Sequence, residues 1–112
     1  MHKEKKMENK KLKGLLFCSG GYSSSILSAR LTELGQEYNL SFDEAGLGSV
    51  DMNNIADKYD VVLFAPHLSA YYEDYEDLFE EKGKPFIQVE SREYVAINAE
   101  ILFEKIKKAL SL

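Results

Sequence analysis

The amino-acid sequence predicts a small α/β domain built on a parallel sheet. Four short apolar runs have the length of strands, and the segments between them place apolar residues at helical spacing. Strands that alternate with helices imply βαβ units, in which parallel strands are covered by helices on both faces. A chain of 112 residues is long enough for one such domain.

The first strand and the first helix are predicted at 12–18 and from Ser23 to about Glu37. LKGLLFC (12–18) is an apolar run typical of a buried strand. In the segment that follows, apolar residues fall at i, i+4, i+7 and i+11, which is one face of a helix. These residues are Leu27, Leu31, Leu34 and Tyr38.

The second strand and a short helix come next. NLSFDEA (39–45) alternates, with Leu40 and Phe42 on one side, as a half-buried strand does. Glycines at 46 and 48 indicate a loop. Asp51 is then predicted as the N-cap of a helix that ends at Lys58.

The second half of the chain predicts two more strands, each followed by a helix. DVVLFAP (60–66) is a continuous apolar run ended by proline, typical of a central parallel strand. FIQV (86–89) predicts the fourth strand. A helical stripe after the third strand consists of Leu68, Tyr71, Tyr75 and Leu78, and a last amphipathic helix runs over 101–110.

Right-handed crossovers leave few topologies for four such strands, and the expected one is a flavodoxin-like sheet of order 2-1-3-4. The order reverses between strands 1 and 3. A crevice at the carboxyl ends of these strands is therefore the expected site. Cys18, the only cysteine, lies at that place.

Charge and composition restrict the function classes. Residues 1–13 hold six lysines and two glutamates, whereas the whole chain has a net charge of −5. We expect a basic, disordered tail over 1–12 and one acidic domain over 13–112. An acidic domain argues against nucleic-acid binding. One cysteine and no long apolar run predict a soluble cytosolic protein without disulfides or membrane insertion.

The segment after Cys18 has the composition of an anion-binding loop. The residues that would bind phosphate are Ser19, Gly20, Gly21, Tyr22, Ser23, Ser24 and Ser25. Glycines allow the backbone to approach a ligand closely, and the start of a helix presents N–H groups without internal partners. Such groups favour negative charge on a thiolate or on a phosphoryl group.

Several kinds of thiol chemistry remain to be weighed. Disulfide exchange lacks a second cysteine, and a metal site lacks partners because His67 stands alone outside the tail. A low-molecular-weight phosphatase would have the pattern C-x5-R, but its arginine position is Ser24 here. A buried structural cysteine, a phosphatase-like protein and a module that binds phosphate or flavin phosphate are the alternatives to a phosphoryl carrier.

Three segments resemble the IIB component of the phosphoenolpyruvate-dependent sugar phosphotransferase system, lactose/cellobiose class. They are LFCSGGYSSSIL, DVVLFAPHLSAYYEDYEDL and KPFIQVES. The resemblance implies that Cys18 is phosphorylated by a phosphohistidine on a IIA protein. It would then pass the phosphoryl group to a sugar bound by a membrane IIC component, without a cofactor or metal. A β-glucoside, cellobiose, chitobiose or lactose type of sugar is implied.

Two positions depart from the pattern of that family. Tyr22 stands where a smaller or aliphatic residue is expected, and His67 stands where a glutamine is expected. His67 follows the third strand, at the expected crevice. It is predicted either to contact the phosphoryl group or a partner, or to cap the helix that begins there, and the capping interpretation is preferred. A regulatory derivative that senses phosphorylation without feeding a sugar is a further alternative.

Overall fold

A computed structural model describes residues 11–18, 22–46 and 51–112. Its strands are β1 (Leu12–Cys18), β2 (Leu40–Gly46), β3 (Val61–Phe64) and β4 (Phe86–Gln88). Its α-helices are α1 (Tyr22–Gly35), α2 (Met52–Lys58), α3 (Tyr72–Glu81) and α4 (Ala99–Leu110). Short 3-10 segments are Gln36–Tyr38, Pro66–Tyr71, Ser91–Glu93 and Ala96–Asn98.

The four strands form one parallel sheet in the order β2-β1-β3-β4, which confirms the predicted topology. β1 lies between β2 and β3, so its last residue stands where the strand order reverses. Cys18 pairs with Gly46 of β2, and Phe17 pairs with Phe64 of β3. The carboxyl ends of β1, β2 and β3 therefore meet at one edge of the sheet, called here the carboxyl edge.

Helices cover both faces of the sheet, as predicted, and each face has its own core. On the first face, α1 and α4 bury Leu27, Leu31, Leu102 and Ile106 against Leu16 and Leu63 of the sheet. On the second face, α2 and α3 bury Ala56 and Phe79 against Leu15, Phe17 and Phe64. Alternation along β1 produces this division, because successive side chains of a strand point to opposite faces.

The ends of several elements differ from the prediction. β3 ends at Phe64, and Pro66–Tyr71 forms a 3-10 helix before α3 begins at Tyr72. Proline suits the first turn of a helix because its φ is already helical and its missing N–H is not needed there. The predicted packing role of Tyr71 is wrong, since this side chain is 47% exposed. Tyr75 packs against the second core, as its place in the stripe predicts, and Tyr72 packs there as well.

Asp51 confirms its predicted role as an N-cap, because its Oδ1 accepts a hydrogen bond from the Asn53 N–H at 3.1 Å. The predicted tail falls mostly on residues 1–10, outside the described residues, and the domain boundary near residue 12 stays a prediction. Among the described residues, no helix is both long and apolar enough to span a bilayer.

Candidate functional site

Cys18 is the last residue of β1, at the carboxyl edge of the sheet. It is buried, with 2% of its surface exposed. On one side it pairs with Gly46, and on the other side the Ala65 N–H donates to the carbonyl of Phe17 at 2.9 Å. Burial is expected both of a structural cysteine and of a protected nucleophile. A position at the point where the strand order reverses is expected of a functional site.

The Cys18 thiol donates a weak hydrogen bond to the carbonyl of Ala45, with a distance of 3.8 Å between Sγ and the oxygen. A thiol can donate in this way, but a thiolate cannot, and a thiolate would face the negative end of the carbonyl dipole. Loss of the thiol proton therefore weakens the attraction that holds the sulfur against β2.

The predicted phosphate loop is described only in part. Ser19, Gly20 and Gly21 lie outside the described residues. Tyr22, Ser23, Ser24 and Ser25 form the first turn of α1, so the helix begins one residue earlier than predicted. A helix that starts four residues after Cys18 brings its N-terminal N–H groups to the carboxyl edge, with the positive end of its dipole.

Gln88, which the sequence predicts only as part of the fourth strand, organises this edge. Gln88 Nε2 donates to the carbonyls of Phe64, Ala65 and Val89 at 3.2, 3.1 and 3.0 Å. Its Oε1 is buried without a hydrogen-bond partner in the described part of the chain. These contacts fix the turn that leaves β3, and this turn carries His67. The sequence gives no signal for them, because the acceptors are backbone carbonyls at the ends of β3 and β4 and not side chains.

His67 is exposed and lies inside the 3-10 helix Pro66–Tyr71. The preferred prediction that it caps this helix is wrong, because Ala65 occupies the N-cap position and Pro66 the first helical position. The His67 ring instead lies edge-on to the Tyr94 ring, with 6.0 Å between the ring centroids. This contact joins the segment after β3 to the segment after β4.

The segment after β4 is held by a buried carboxylate. Glu93 Oε1 accepts from the Glu90 N–H at 2.9 Å, which forms a capping box, and Glu93 also binds Lys105 of α4. Asn98 Nδ2 donates to the Arg92 carbonyl at 2.7 Å. Glu90 at the N-cap departs from the Ser/Thr-x-x-Glu pattern of a capping box, so the sequence does not predict this contact.

The cations nearest in sequence to the loop do not complete a phosphatase site. No Lys or Arg occurs between Gly14 and Ala29. Arg30, the first cation after the loop, binds Glu33 at 2.9 Å and Glu100 at 3.4 Å. Its guanidinium is therefore engaged with carboxylates on α1 and α4. Within the described ranges, no group of three or more His, Cys, Asp and Glu residues could hold a metal ion.

Comparison with known proteins identifies a family of similar chains. Residues 13–108 match the family model described as "PTS system, Lactose/Cellobiose specific IIB subunit". Over 83 residues, or 74% of this chain, it is 26% identical to the PTS system lactose-specific EIICB component of Streptococcus mutans serotype c. It is 24% identical over the same length to that of Lactococcus lactis subsp. lactis. The matched part spans 15% of the length of these relatives.

Two solved structures share the fold. The lactose-specific IIB component domain from Streptococcus pneumoniae aligns with a TM-score of 0.75 and 21% identity. The alignment covers 89% of this chain and 98% of that one. The cellobiose-specific phosphotransferase IIB component from Borrelia burgdorferi aligns with a TM-score of 0.64 and 24% identity, covering 90% of this chain and 93% of that one.

Proposed function

Because the chain belongs to the lactose/cellobiose-specific IIB subunit family of the phosphotransferase system, we propose that it carries a phosphoryl group on Cys18. IIB domains are phosphotransferase components, which supports a role for this chain in sugar uptake. The observation that carries the proposal is the position of Cys18. It ends β1 at the carboxyl edge, four residues before α1 begins.

The proposed first step is attack of the Cys18 sulfur on the phosphorus of a phosphohistidine carried by a IIA protein. An S–P bond forms and the N–P bond breaks, and the imidazole nitrogen keeps the electron pair. The Cys18 thiol first loses its proton to solvent, because the thiolate is the nucleophilic form of cysteine. Because a thiolate cannot donate to the Ala45 carbonyl, its formation removes the weak hydrogen bond that holds the sulfur against β2.

The proposed second step returns the thiolate. A hydroxyl oxygen of a sugar bound by a IIC component attacks the phosphorus, an O–P bond forms and the S–P bond breaks. The hydroxyl proton passes to a base of the IIC component that binds the sugar. The related lactose-specific proteins are named EIICB components, which supports a C component as the partner and lactose or a similar sugar as the acceptor.

In this proposal, Ser19 to Ser25 hold the phosphoryl group. The backbone N–H groups at the start of α1 would stabilise its negative charge, and the serine hydroxyls would add donors. Phosphoryl transfer requires mainly alignment and charge stabilisation, so these groups suffice without a metal or cofactor. His67 is proposed to contact a partner protein, since it is exposed in the segment after β3 and is held against Tyr94.

Labelling tests the proposal. The protein is incubated with phosphoenolpyruvate, the general phosphotransfer proteins and a IIA protein of the lactose/cellobiose class, and the modified residue is mapped. We expect one phosphate on Cys18, and none on a Cys18→Ser variant that unfolds at the same temperature as the wild type. Label on His67 in the wild type, or unchanged labelling of Cys18→Ser, would contradict the assignment.

A further inference from the structure

The sheet has two outer edges, one along β2 and one along β4. An edge strand presents backbone N–H and C=O groups that its own sheet does not use, and another chain can pair with them. In β2, Phe42 pairs with Gly14 of β1, and just before β2 the Asn39 carbonyl accepts from the Leu12 N–H at 3.0 Å. Because parallel pairing uses the backbone groups of every second residue, the N–H and C=O of Phe42 point away from β1.

The Thr32 hydroxyl of α1 binds both of these outward groups. The Phe42 N–H donates to Thr32 Oγ1 at 2.9 Å, and Oγ1 donates to the Phe42 carbonyl oxygen at 3.4 Å. Threonine forms helices less readily than alanine or leucine, so helix propensity does not explain its place within α1. The contact with Phe42 does explain it, because the hydroxyl gives both backbone groups of an edge residue a partner.

The outer edge of β4 is closed in a similar way from the other face of the sheet. The Pro85 carbonyl accepts from the Val62 N–H of β3 at 3.1 Å, so the next carbonyl, that of Phe86, points away from β3. The Tyr72 hydroxyl of α3 donates to this carbonyl at 2.8 Å, and the rings of Tyr72 and Phe86 are stacked with 4.5 Å between centroids. Two helices on opposite faces thus each place one hydroxyl on an outward carbonyl of an edge strand.

We propose that the hydroxyls of Thr32 and Tyr72, called here the edge hydroxyls, prevent the sheet from being extended by a second copy of this chain. An unpaired edge lets two sheets join through backbone hydrogen bonds. The edge hydroxyls already bind groups that such pairing would use, so a second copy gains fewer new hydrogen bonds. The inference is independent of the proposed function, because it concerns the outer edges of the sheet and not Cys18.

A second copy is the expected partner because β2 is complementary to itself. Antiparallel pairing of two β2 strands about Phe42 places Ser41 opposite Asp43 and Leu40 opposite Glu44. No two acids are directly opposite each other in this register, so direct charge repulsion does not prevent the pairing. β2 is also the longer edge strand, with 7 residues against 3 in β4. The closure of β2 is therefore the more important of the two.

The test removes the hydroxyl of Thr32 and measures self-association by sedimentation equilibrium. Thr32→Ala leaves the Phe42 groups without their partner, and alanine favours the helical conformation, so α1 is retained. Thr32→Ser is the matched control, because it keeps the hydroxyl. We expect Thr32→Ala to self-associate at least about tenfold more tightly than the wild type, and Thr32→Ser to differ from the wild type by less than about twofold.

Amide hydrogen exchange identifies the surface that pairs. At low protein concentration, the Phe42 N–H of Thr32→Ala should exchange about fivefold or more faster than in the wild type, because it has lost its acceptor. At high concentration the exchange should slow again, because a second copy supplies a carbonyl. A role of Thr32 in stability alone would not produce this dependence on concentration.

The edge of β4 is tested with Tyr72→Phe, and Tyr75→Phe is the control on the same helix, since the Tyr75 ring lies 6.1 Å from the Phe64 ring in the same core. The double variant Thr32→Ala/Tyr72→Phe has both edges open. We expect it to form species larger than a dimer, because two open edges allow a chain of copies. A double variant that stops at the dimer would reject the role of Tyr72. Equal self-association of Thr32→Ala and the wild type, or Phe42 exchange that does not depend on concentration, would overturn the proposal.

Discussion

Lys105 Nζ lies 2.9 Å from Glu93 Oε2, although only 3% of the Glu93 side chain is exposed. A buried carboxylate is costly unless it is paired and hydrogen-bonded. Glu93 satisfies both conditions, because it binds Lys105 and also accepts from the Glu90 N–H. The pair ties the segment after β4 to α4, and that segment carries Tyr94 and Ile97.

Removing the cation of this pair should destabilise the protein. Lys105→Met leaves the buried Glu93 carboxylate without its partner, and we expect a loss of about 3 kcal/mol in the free energy of unfolding. Denaturant unfolding measures it. Lys108→Met, an exposed lysine on the same helix, is the control and should change stability by less than about 0.5 kcal/mol. Equal stability of the two variants would contradict a structural role for the pair.

Gly14 lies directly opposite Phe42 in the pairing of β1 with β2, and it is a second site where stability can be tested. A Cβ added to Gly14 would meet the Phe42 ring, with 2.5 Å to Cδ2. We expect Gly14→Ala to cost about 1–3 kcal/mol, because the core on the first face is already filled. The measurement is again denaturant unfolding.

A double-mutant cycle with Phe42→Leu separates this clash from other effects of the substitution. The smaller side chain makes room for a Cβ, so the two changes should cost less together than the sum of their separate costs. Gly46→Ala is the matched control at the end of β2, where the nearest atom to an added Cβ is the Cys18 carbonyl oxygen at 3.8 Å. Additive costs in the cycle would show that Phe42 does not limit the size of residue 14.

The Tyr59 hydroxyl donates to Asp43 Oδ2 at 2.8 Å. From this contact we expect the stability of the protein to depend on pH in the alkaline range. Partial burial, with the hydrogen bond to Asp43 and the charge of Asp43, raises the pKa of Tyr59 to about 12. A raised pKa means that folding favours the neutral phenol. Its contribution to stability is therefore complete below pH 10, the ordinary pKa of tyrosine, and is lost as the pH rises toward 12.

Alkaline titration checks this expectation. The near-ultraviolet absorbance change of wild type minus Tyr59→Phe should have its midpoint near pH 12, and the stability difference between the two proteins should shrink above pH 10. Asp43→Asn removes the charge and should lower the pKa of Tyr59 toward its ordinary value. A difference midpoint near pH 10 in the wild type would show that the hydrogen bond does not persist in solution.

The order of strands and helices could be predicted because a short apolar run indicates a buried strand, and apolar residues at helical spacing indicate a helix. The buried pairs Leu27–Leu31 and Leu40–Phe42 follow directly from such spacing. The close approach of Gly14 to Phe42 could not be predicted in this way, because it depends on the register between strands. A glycine inside a strand suggests such an approach but does not identify the neighbour.

In the candidate site, too, some features could be predicted from the sequence and others could not. The position of Cys18 at the carboxyl edge could be predicted, because it ends an apolar run and the strand order reverses there; its role as phosphoryl acceptor stays a prediction. Gln88 and Glu93 were not predictable as supports of that edge, since their partners are backbone groups and a lysine twelve residues away. The N-cap lies two residues before the predicted cap at His67, because Pro66 takes the first helical position and leaves Ala65 as the N-cap.

Hydrolysis separates a phosphoryl carrier from a phosphatase of similar fold. In the phosphatase pattern C-x5-R, the arginine position corresponds to Ser24 in this chain. Arg30, the first arginine after the loop, is bound to Glu33 and Glu100. Without an arginine at position 24 to clamp the phosphate dianion, water attack on the cysteinyl phosphate lacks an important source of charge stabilisation. We therefore expect negligible steady-state release of p-nitrophenol from p-nitrophenyl phosphate, equal to that of Cys18→Ser.

Replacing Ser24 with arginine tests whether the chain lacks only the phosphate clamp of a phosphatase or also its general acid. Ser24→Arg restores the C-x5-R spacing, so it should bind inorganic phosphate more tightly than the wild type. It should gain little hydrolysis, because a clamp does not supply the general acid that protonates a leaving group. Calorimetry with inorganic phosphate and the p-nitrophenol assay measure the two effects separately. Robust turnover by the wild type that disappears in Cys18→Ser would reject the carrier function and favour a phosphatase, since a carrier must keep its phosphoryl group until an acceptor arrives.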